Sequence, residues 1–390
     1  MTDVLIAGGA VMGSSVAFWL SRMDPALNIT VVEPDPSYAT SSTALSVASI
    51  RSQFSDPTNV QISRFGVDFI RDFAGQTGPS GGVPDLGLRE NGYLFLTGSE
   101  TGAAMLETLA QMQRGLGAAT QVLTAAQIAQ QFPWMNTDDI VAGSWGTRDE
   151  GWFDNMGLLS GLRNAARAAG VTFLRDRVLG FERDGRRVMA AVLESGQRIY
   201  AGQFVNAAGT RAGMLMRSMD LDLPVEPRKR TVFVIDAPNA RHPDAPLVVD
   251  HSGIYFRPEH QHWIAATVPA TDGPCDADDF DPDHQLFEDA VWPALYNRAE
   301  GFDCARIARW WVGHYAYNSF DQNALLGLNP QLNNFFHANG FSGHGLQQAP
   351  AVGRGIAELV LHGDWQTLDL SALSVARVAQ GRPYTEAHIV

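Results

Sequence analysis

Two glycine turns in this chain could meet negative charge. Residues 339–350 read Asn-Gly-Phe-Ser-Gly-His-Gly-Leu-Gln-Gln-Ala-Pro, with Gly340, Gly343 and Gly345 placed just ahead of a helix-period apolar run. Such a turn leaves backbone N–H groups bare of side chains at the positive end of a helix, which suits an anionic ligand at close range. His344 lies within the turn and could add a positive charge or serve only as a backbone contact. Near the start, Gly8-Gly9-Ala10-Val11-Met12-Gly13 separates two apolar runs, and Glu33 stands twenty residues beyond Gly13. Glycines for the turn, a helix N-terminus for a pyrophosphate and an acid for ribose hydroxyls make up a dinucleotide site. Ala10 holds the place of the middle glycine, where one methyl group crowds the turn without forbidding it. Arg51 follows an apolar segment, Ala44 to Ile50. Its guanidinium fork suits a carboxylate ligand or, equally in chemistry, a salt bridge between domains.

The elements that must position these residues follow from periodicity. Asp3 to Ala7 reads as a buried strand, Ser14 to Leu20 as an apolar helix, and Asn28 to Val32 as a second strand ending at Glu33. Phe335 to Ala338 reads as the strand before the second glycine turn, with Pro350 near the first turn of the helix that follows and Gly363 as its stop. Between them the pattern predicts helices over Pro57–Phe73, Thr101–Gly115, Trp152–Ala169 and Asp283–Tyr296. It also predicts a strand at Val171–Leu174, a hairpin of Val188–Glu194 with Arg198–Phe204, a small-residue strand end at Phe204–Gly209 with a helix through Met219, and an arm of a hairpin at Leu88–Thr97. From Pro227 the pattern is mainly β, at Arg230–Asp236, Gly253–Arg257, Trp263–Val268 and Arg306–Tyr315. A Gly/Pro cluster at Gly78–Pro84 marks a crossing between domains. The fold class is α/β, with interleaved rather than sequential domains.

Composition narrows the partners. A length of 390 residues predicts two domains. A net charge of −14 argues against nucleic acid. Cys275 and Cys304 are too far apart for metal or redox spacing, so no metal site is expected. No apolar run reaches membrane-spanning length, and the first strand starts too early to leave room for a leader, so a cytoplasmic protein without a transmembrane segment is expected. Lys229 is the sole lysine.

Four segments in order carry a family resemblance: the turn at Gly8–Gly13 with Glu33, Ser41 to Arg51, Val205-Asn-Ala-Ala-Gly209, and Gly340-Phe-Ser-Gly-His-Gly345. The chain resembles the D-amino-acid oxidase and sarcosine oxidase superfamily of FAD-dependent oxidoreductases. Pro227–Arg230, Val312–Asn323 and Gly340–Pro350 resemble in particular a mitochondrial branch of FAD-dependent oxidoreductase-domain proteins linked to complex I assembly, of which this chain reads as a bacterial relative. The resemblance implies a Rossmann-like FAD domain at 1–84, 151–224 and 322–390, and an α+β substrate domain on a mixed sheet at 85–150 and 225–321. It implies that Glu33 holds the adenosine ribose with Pro34 beside it, and that Ser42, Thr43 and Ala44 follow the pyrophosphate. Val178 lies near adenine, Ala207, Ala208 and Gly209 line the cofactor channel, and Gly343, His344, Gly345, Leu346 and Gln347 face the pyrimidine end of the flavin. Donors fixed there would stabilise charge on the reduced ring. Arg51 would contact the substrate carboxylate or the ring, and Tyr255 matches an active-site tyrosine. Arg257 is either a second carboxylate partner or a solvated strand end. Of Trp310, Trp311, Tyr315 and Tyr317, one or two would face the ligand, where an aromatic wall could hold an alkylated amine.

Three positions depart from sarcosine oxidases. Their oxygen-activating lysine falls near Ala265–Thr267, their carboxylate-binding lysine is Gln347 here, and their flavin-linking cysteine aligns near Gly313. FAD is therefore expected to be non-covalent, with electrons passing to a quinone or flavoprotein, or slowly to O2. The expected reaction is oxidation of a secondary or N-substituted amino acid by hydride transfer to flavin N5, followed by imine hydrolysis. The alternative is an FAD-binding assembly or scaffolding protein without turnover.

Overall fold

The computed structural model describes residues 2–387. Residue 1 and residues 388–390, which belong to the first and last segments expected of the FAD domain, lie outside them.

The strands fall into two large sheets and one small one. The first sheet holds β1 (Thr2–Ala7), β2 (Ile29–Glu33), β8 (Thr172–Arg175), β9 (Val178–Asp184), β10 (Arg187–Leu193), β11 (Arg198–Asn206), β17 (Leu325–Leu328) and β18 (Phe335–Asn339). Its centre is parallel: β1 lies between β2 and β11, β2 pairs β8, and β11 pairs β18. The second sheet holds β4 (Tyr93–Thr97), β5 (Thr120–Thr124), β6 (Ala142–Gly146), β12 (Val225–Asp236), β13 (Leu247–Val249), β14 (Ile254–Glu259), β15 (His262–Thr267) and β16 (Arg306–Asn318). It is antiparallel apart from the parallel pair of β13 and β4. A short pair, β3 (Ser49–Ile50) with β7 (Gly151–Trp152), lies between them in sequence.

The apolar strands β1 and β2 are covered on one face by three helices, α1 (Val11–Met23), α3 (Asn155–Ala168) and α4 (Gly345–His362), with α2 (Pro57–Arg71) packed against α4. Helix α2 is capped by Asp56, whose carboxylate accepts the N–H of Asn59 at 2.8 Å, with Pro57 at the position where no N–H is needed. Helices α1 and α4 approach closely because Gly353 has no side chain; a Cβ there would stand 2.1 Å from Ser15 Oγ. Pro350 sits in the second turn of α4, not the first, because the helix already begins at Gly345. It removes an N–H that would have met the Leu346 carbonyl. Helix α1 grips the same place: Ser15 donates to the Ala349 carbonyl at 2.7 Å and Trp19 Nε1 to the Pro350 carbonyl at 2.9 Å.

Several expected elements shift. Leu88–Thr97 is not a hairpin arm: only Tyr93–Thr97 is a strand, and its partners are β13 and β6, far away in sequence. The helix expected over Asp283–Tyr296 starts later, carries a π turn at Phe287–Val291 and ends at Arg298. The helix after Gly209 is a single short one, Ala212–Arg217. The hairpin of β10 and β11 forms as expected, and β9 extends it. No helix among the described residues is long and apolar enough to cross a membrane, and no group among them could hold a metal ion.

Candidate functional site

A cavity of about 330 Å³ runs from the C-terminal ends of β1 and β2 to the face of the second sheet. Most residues singled out from the sequence line it, and they divide between its two ends.

At one end are Gly8, Ala10, Val11 and Met12, with Glu33 and Pro34 after β2, Val178 at the start of β9, and Ala207, Ala208 and Gly209 after β11. Glycine is required here by contact. Gly8 has φ +97° and a Cβ on it would meet the Ala207 carbonyl oxygen at 2.4 Å; one on Gly13 would lie 1.9 Å from the Gly8 carbonyl oxygen. Gly9 and Gly13 shape the turn from behind and do not line the cavity. Glu33 accepts the Gly9 N–H at 2.8 Å and the Asp35 N–H at 2.9 Å, so the acid is oriented by the turn it serves. Burial pushes its carboxyl up, and those two N–H groups pull the other way. Ser42 and Thr43 also line the cavity, yet their hydroxyls tie the loop down: Ser42 donates to the His314 carbonyl at 2.7 Å, and Thr43 Oγ1 accepts the Val11 N–H at 3.2 Å. Ala44 faces away, into a second cavity.

At the other end are Arg51, Tyr93, Arg230, Tyr255, Tyr315 and the first turn of α4, Gly345, Leu346 and Gln347, with Gly343 and His344 before it. Gly340 lies off this surface; its φ of +68° turns the chain between β18 and α4, against Asn318 and Val225. Gly343 has φ +99°, and a Cβ would press the Tyr315 ring at 2.8 Å. Arg51 is buried. Its Nη2 lies 3.0 Å from His344 Nε2, Nη1 donates to the Gln53 carbonyl, and its own N–H donates to Gln347 Oε1 at 2.8 Å. A guanidinium only donates, so in this contact His344 Nε2 is the acceptor. Arg51 puts a fixed positive charge beside the turn. Burial works against that charge, while Tyr93, Glu386 and Glu150 act to hold it. Behind it, burial pushes the Glu150 carboxyl up to about 7, although Gln53 Nε2 and the Ser52 N–H each donate to it at 2.8 Å.

Tyr255 and Tyr315 share a hydrogen bond, and burial raises both phenols; burial likewise pushes Tyr93 up to about 12. These hydroxyls stay protonated near neutrality. Arg230 completes the wall, bound to Asp272 at 2.7 and 2.9 Å with its guanidinium 4.8 Å from the Tyr315 ring centre. Among the described residues the acids lining the cavity are Glu33, Asp35 and Asp278, so none of these belongs to this second group.

Of the four aromatic residues on β16, Tyr315 alone lines this cavity. Trp310 is exposed, Trp311 reaches the second cavity, and Tyr317 lies under Arg228 with 3.6 Å to its ring centre. Arg257 is no solvated strand end: it is 4 % exposed and donates to the Val47 carbonyl at 2.9 Å, away from this cavity. Tyr255 pairs with Ala266 across the strands, and Lys229, held by Asp279 at 2.7 Å, does not line the cavity; nor does either cysteine. Sequence reading missed Tyr93, Arg177, Arg230 and His314. Arg230 and His314 stood inside segments already singled out, but which face of a strand they occupy depends on register.

The cavity suits an elongated cofactor with a charged middle. Two glycine turns with no room for a Cβ face it, one helix N-terminus opens on each, and His314 Nε2 is buried without a partner on its wall. Residues 3–359 match the family described as DAO: FAD dependent oxidoreductase. The chain belongs to this family of FAD-dependent oxidoreductases, and FAD is its cofactor. Among named relatives, FAD-dependent oxidoreductase domain-containing protein 1 of Xenopus laevis is 38% identical over 424 residues, covering 100% of this chain and 85% of that one. Sarcosine dehydrogenase of Mus musculus is 24% identical over 93% of this chain and 40% of its own length. Among solved structures, L-proline dehydrogenase from P. horikoshii superposes with a TM-score of 0.86 at 24% identity, covering 98% of this chain and 99% of that one.

Proposed function

We propose that this FAD-dependent oxidoreductase oxidises the C–N bond of a secondary or N-substituted amino acid. The supporting observation is the second end of the cavity: buried tyrosine hydroxyls between Arg51 and Arg230, with no carboxylate on that wall among the described residues. Bound FAD supplies the hydride acceptor. On this reading Arg51 and the Tyr255–Tyr315 pair orient the substrate carboxylate, and the aromatic wall covers the amine and excludes water. The substrate enters as the neutral amine, so no Asp or Glu base is needed. Gln347 fixes the backbone of Arg51, and the first turn of α4 presents its N–H groups to charge arising on the ring. The domain division at 85–150 and 225–321 against the rest forms part of the proposal, because the cavity lies where the two large sheets meet. So does a cytoplasmic home, in keeping with two cysteines that are free thiols.

The test is anaerobic mixing of the FAD-loaded protein with N-alkyl amino acids, proline and matching amines. Bleaching of the flavin by a carboxylate-bearing member is expected. Arg51→Ala should raise KM for amino acids more than for plain amines; equal effects would remove Arg51 from carboxylate binding. A flavin untouched across the whole panel would instead favour a scaffold that holds FAD without turnover.

A further inference from the structure

A second cavity, of about 550 Å³, lies on the other side of the segment 44–48. Leu45, Ser46 and Val47 line the cofactor cavity, while Ala44, Ser46 and Ala48 line this one, so a single thickness of backbone separates them. That wall is braced from the second side. Trp311 Nε1 donates to the Leu45 carbonyl at 2.8 Å and Arg257 Nη2 to the Val47 carbonyl at 2.9 Å.

The lining is basic in a chain of net charge −14. Arg89, Arg257, Arg309 and His260 face Asp154 and Glu259. Glu259 pairs with Arg257, but neither Arg89 nor Arg309 has an ion pair among the described residues. Arg89 is near enough to oppose the charge on Arg257, itself depressed chiefly by burial. Arg257 is buried at 4 % exposure, and its Nε has no partner. Its guanidinium lies 4.9 Å from the Trp152 ring centre, and Trp311 lines the same space. Guanidinium groups lining one cavity with an unfilled buried donor, beside two indoles, fit a planar ring bearing electron-rich oxygens.

We propose that this second cavity binds a quinone that collects electrons from the reduced FAD across the segment 44–48. The quinone takes two electrons and one proton from the reduced cofactor and a second proton from solvent, and leaves as the hydroquinone, with FAD restored to its oxidised form. The arginines stabilise negative charge as it reaches the quinone oxygens. The inference rests on the family's redox chemistry and not on the amine substrate proposed above.

The experiment uses FAD-loaded protein reduced anaerobically with stoichiometric dithionite, so no amine is needed. A short-chain 1,4-benzoquinone is the probe, with equilibrium dialysis for binding and stopped-flow absorbance for reoxidation. Saturable binding and saturable reoxidation are expected in the wild type. The double variant Arg89→Glu/Arg309→Glu, altered only at exposed side chains, should weaken both by about tenfold or more while keeping its FAD content and its reoxidation by O2. Arg309→Ala alone, a milder change, should weaken them less. Unsaturable reoxidation, variants that match the wild type, or displacement of the quinone by a small carboxylate bound in the cofactor cavity would each overturn the assignment. A protein that no amine reduces but that passes dithionite electrons to the quinone saturably would lose the proposed substrate and keep this site.

Discussion

Glu150 offers a direct test of how the floor of the candidate site is held. It is 1 % exposed and receives the Ser52 N–H and the Gln53 amide, and burial lifts its carboxyl from an ordinary 4.5 to about 7. The folded chain therefore binds this proton more tightly than the unfolded chain does. The stability contributed by the proton is complete below about pH 4.5 and is lost as pH rises through about 7. At about 1.4 kcal/mol per pH unit, that interval corresponds to about 3 kcal/mol, of which about 2 to 3 kcal/mol falls between pH 5 and pH 8. Glu150→Gln mimics the protonated acid and cannot ionise. Urea unfolding at pH 5 and pH 8, at one fixed FAD concentration, isolates the effect because every other titrating group is common to both proteins. The variant should lose about 2 to 3 kcal/mol less than the wild type on going from pH 5 to pH 8. Parallel changes in the two proteins would refute the reasoning and mean that Glu150 is ionised at neutral pH, held by Arg51.

Gly13→Val places side-chain atoms where a Cβ alone would stand 1.9 Å from the Gly8 carbonyl oxygen; the purified protein should lack the flavin absorbance band, and full FAD content would contradict the close approach. Gly343→Ala strains a residue at φ +99° and pushes the Tyr315 ring; kcat/KM should fall about tenfold with FAD retained, corresponding to about 1–2 kcal/mol of backbone strain. Arg298→Ala removes the buried partner of Asp250, 2.6 Å away, and of Asp139, whose carboxyl Arg298 holds down at about 2. Denaturation should show a loss of about 3–5 kcal/mol, and a loss below about 1 kcal/mol would mean that the freed carboxylates find water.

The ends of the first cavity were legible in the sequence because each depends on local signals. Strand, glycine turn, helix and acid are contiguous at residues 3–33, and strand, turn and helix are contiguous again at 335–362. The wall between them was not. Tyr93, Arg230, Tyr255 and Tyr315 come from four strands, and only their pairing decides which alternate residue points inward. Arg51 and His344 were both marked, but their mutual contact at 3.0 Å joins residues 293 positions apart, which no local pattern can show. Arg257 misled for the same reason: an arginine at the end of an alternating segment reads as solvated until an adjoining loop covers it. Pro350 was placed one turn too early because the glycines before it resemble a loop, whereas Gly345 is already helical.

The parallel centre of the first sheet also governs how the chain is made. Its neighbouring strands β1, β11 and β18 come from residues 2–7, 198–206 and 335–339. During synthesis β1 waits for about two hundred residues before its β11 neighbour exists, and the second glycine turn arrives later still. Sheets closed by such distant segments fold slowly and expose apolar edges meanwhile. On the proposed placement FAD meets both turns, so it binds strongly only to the finished arrangement and draws the chain toward it by mass action. Cofactor supply during expression should therefore decide the yield of folded protein as much as its colour.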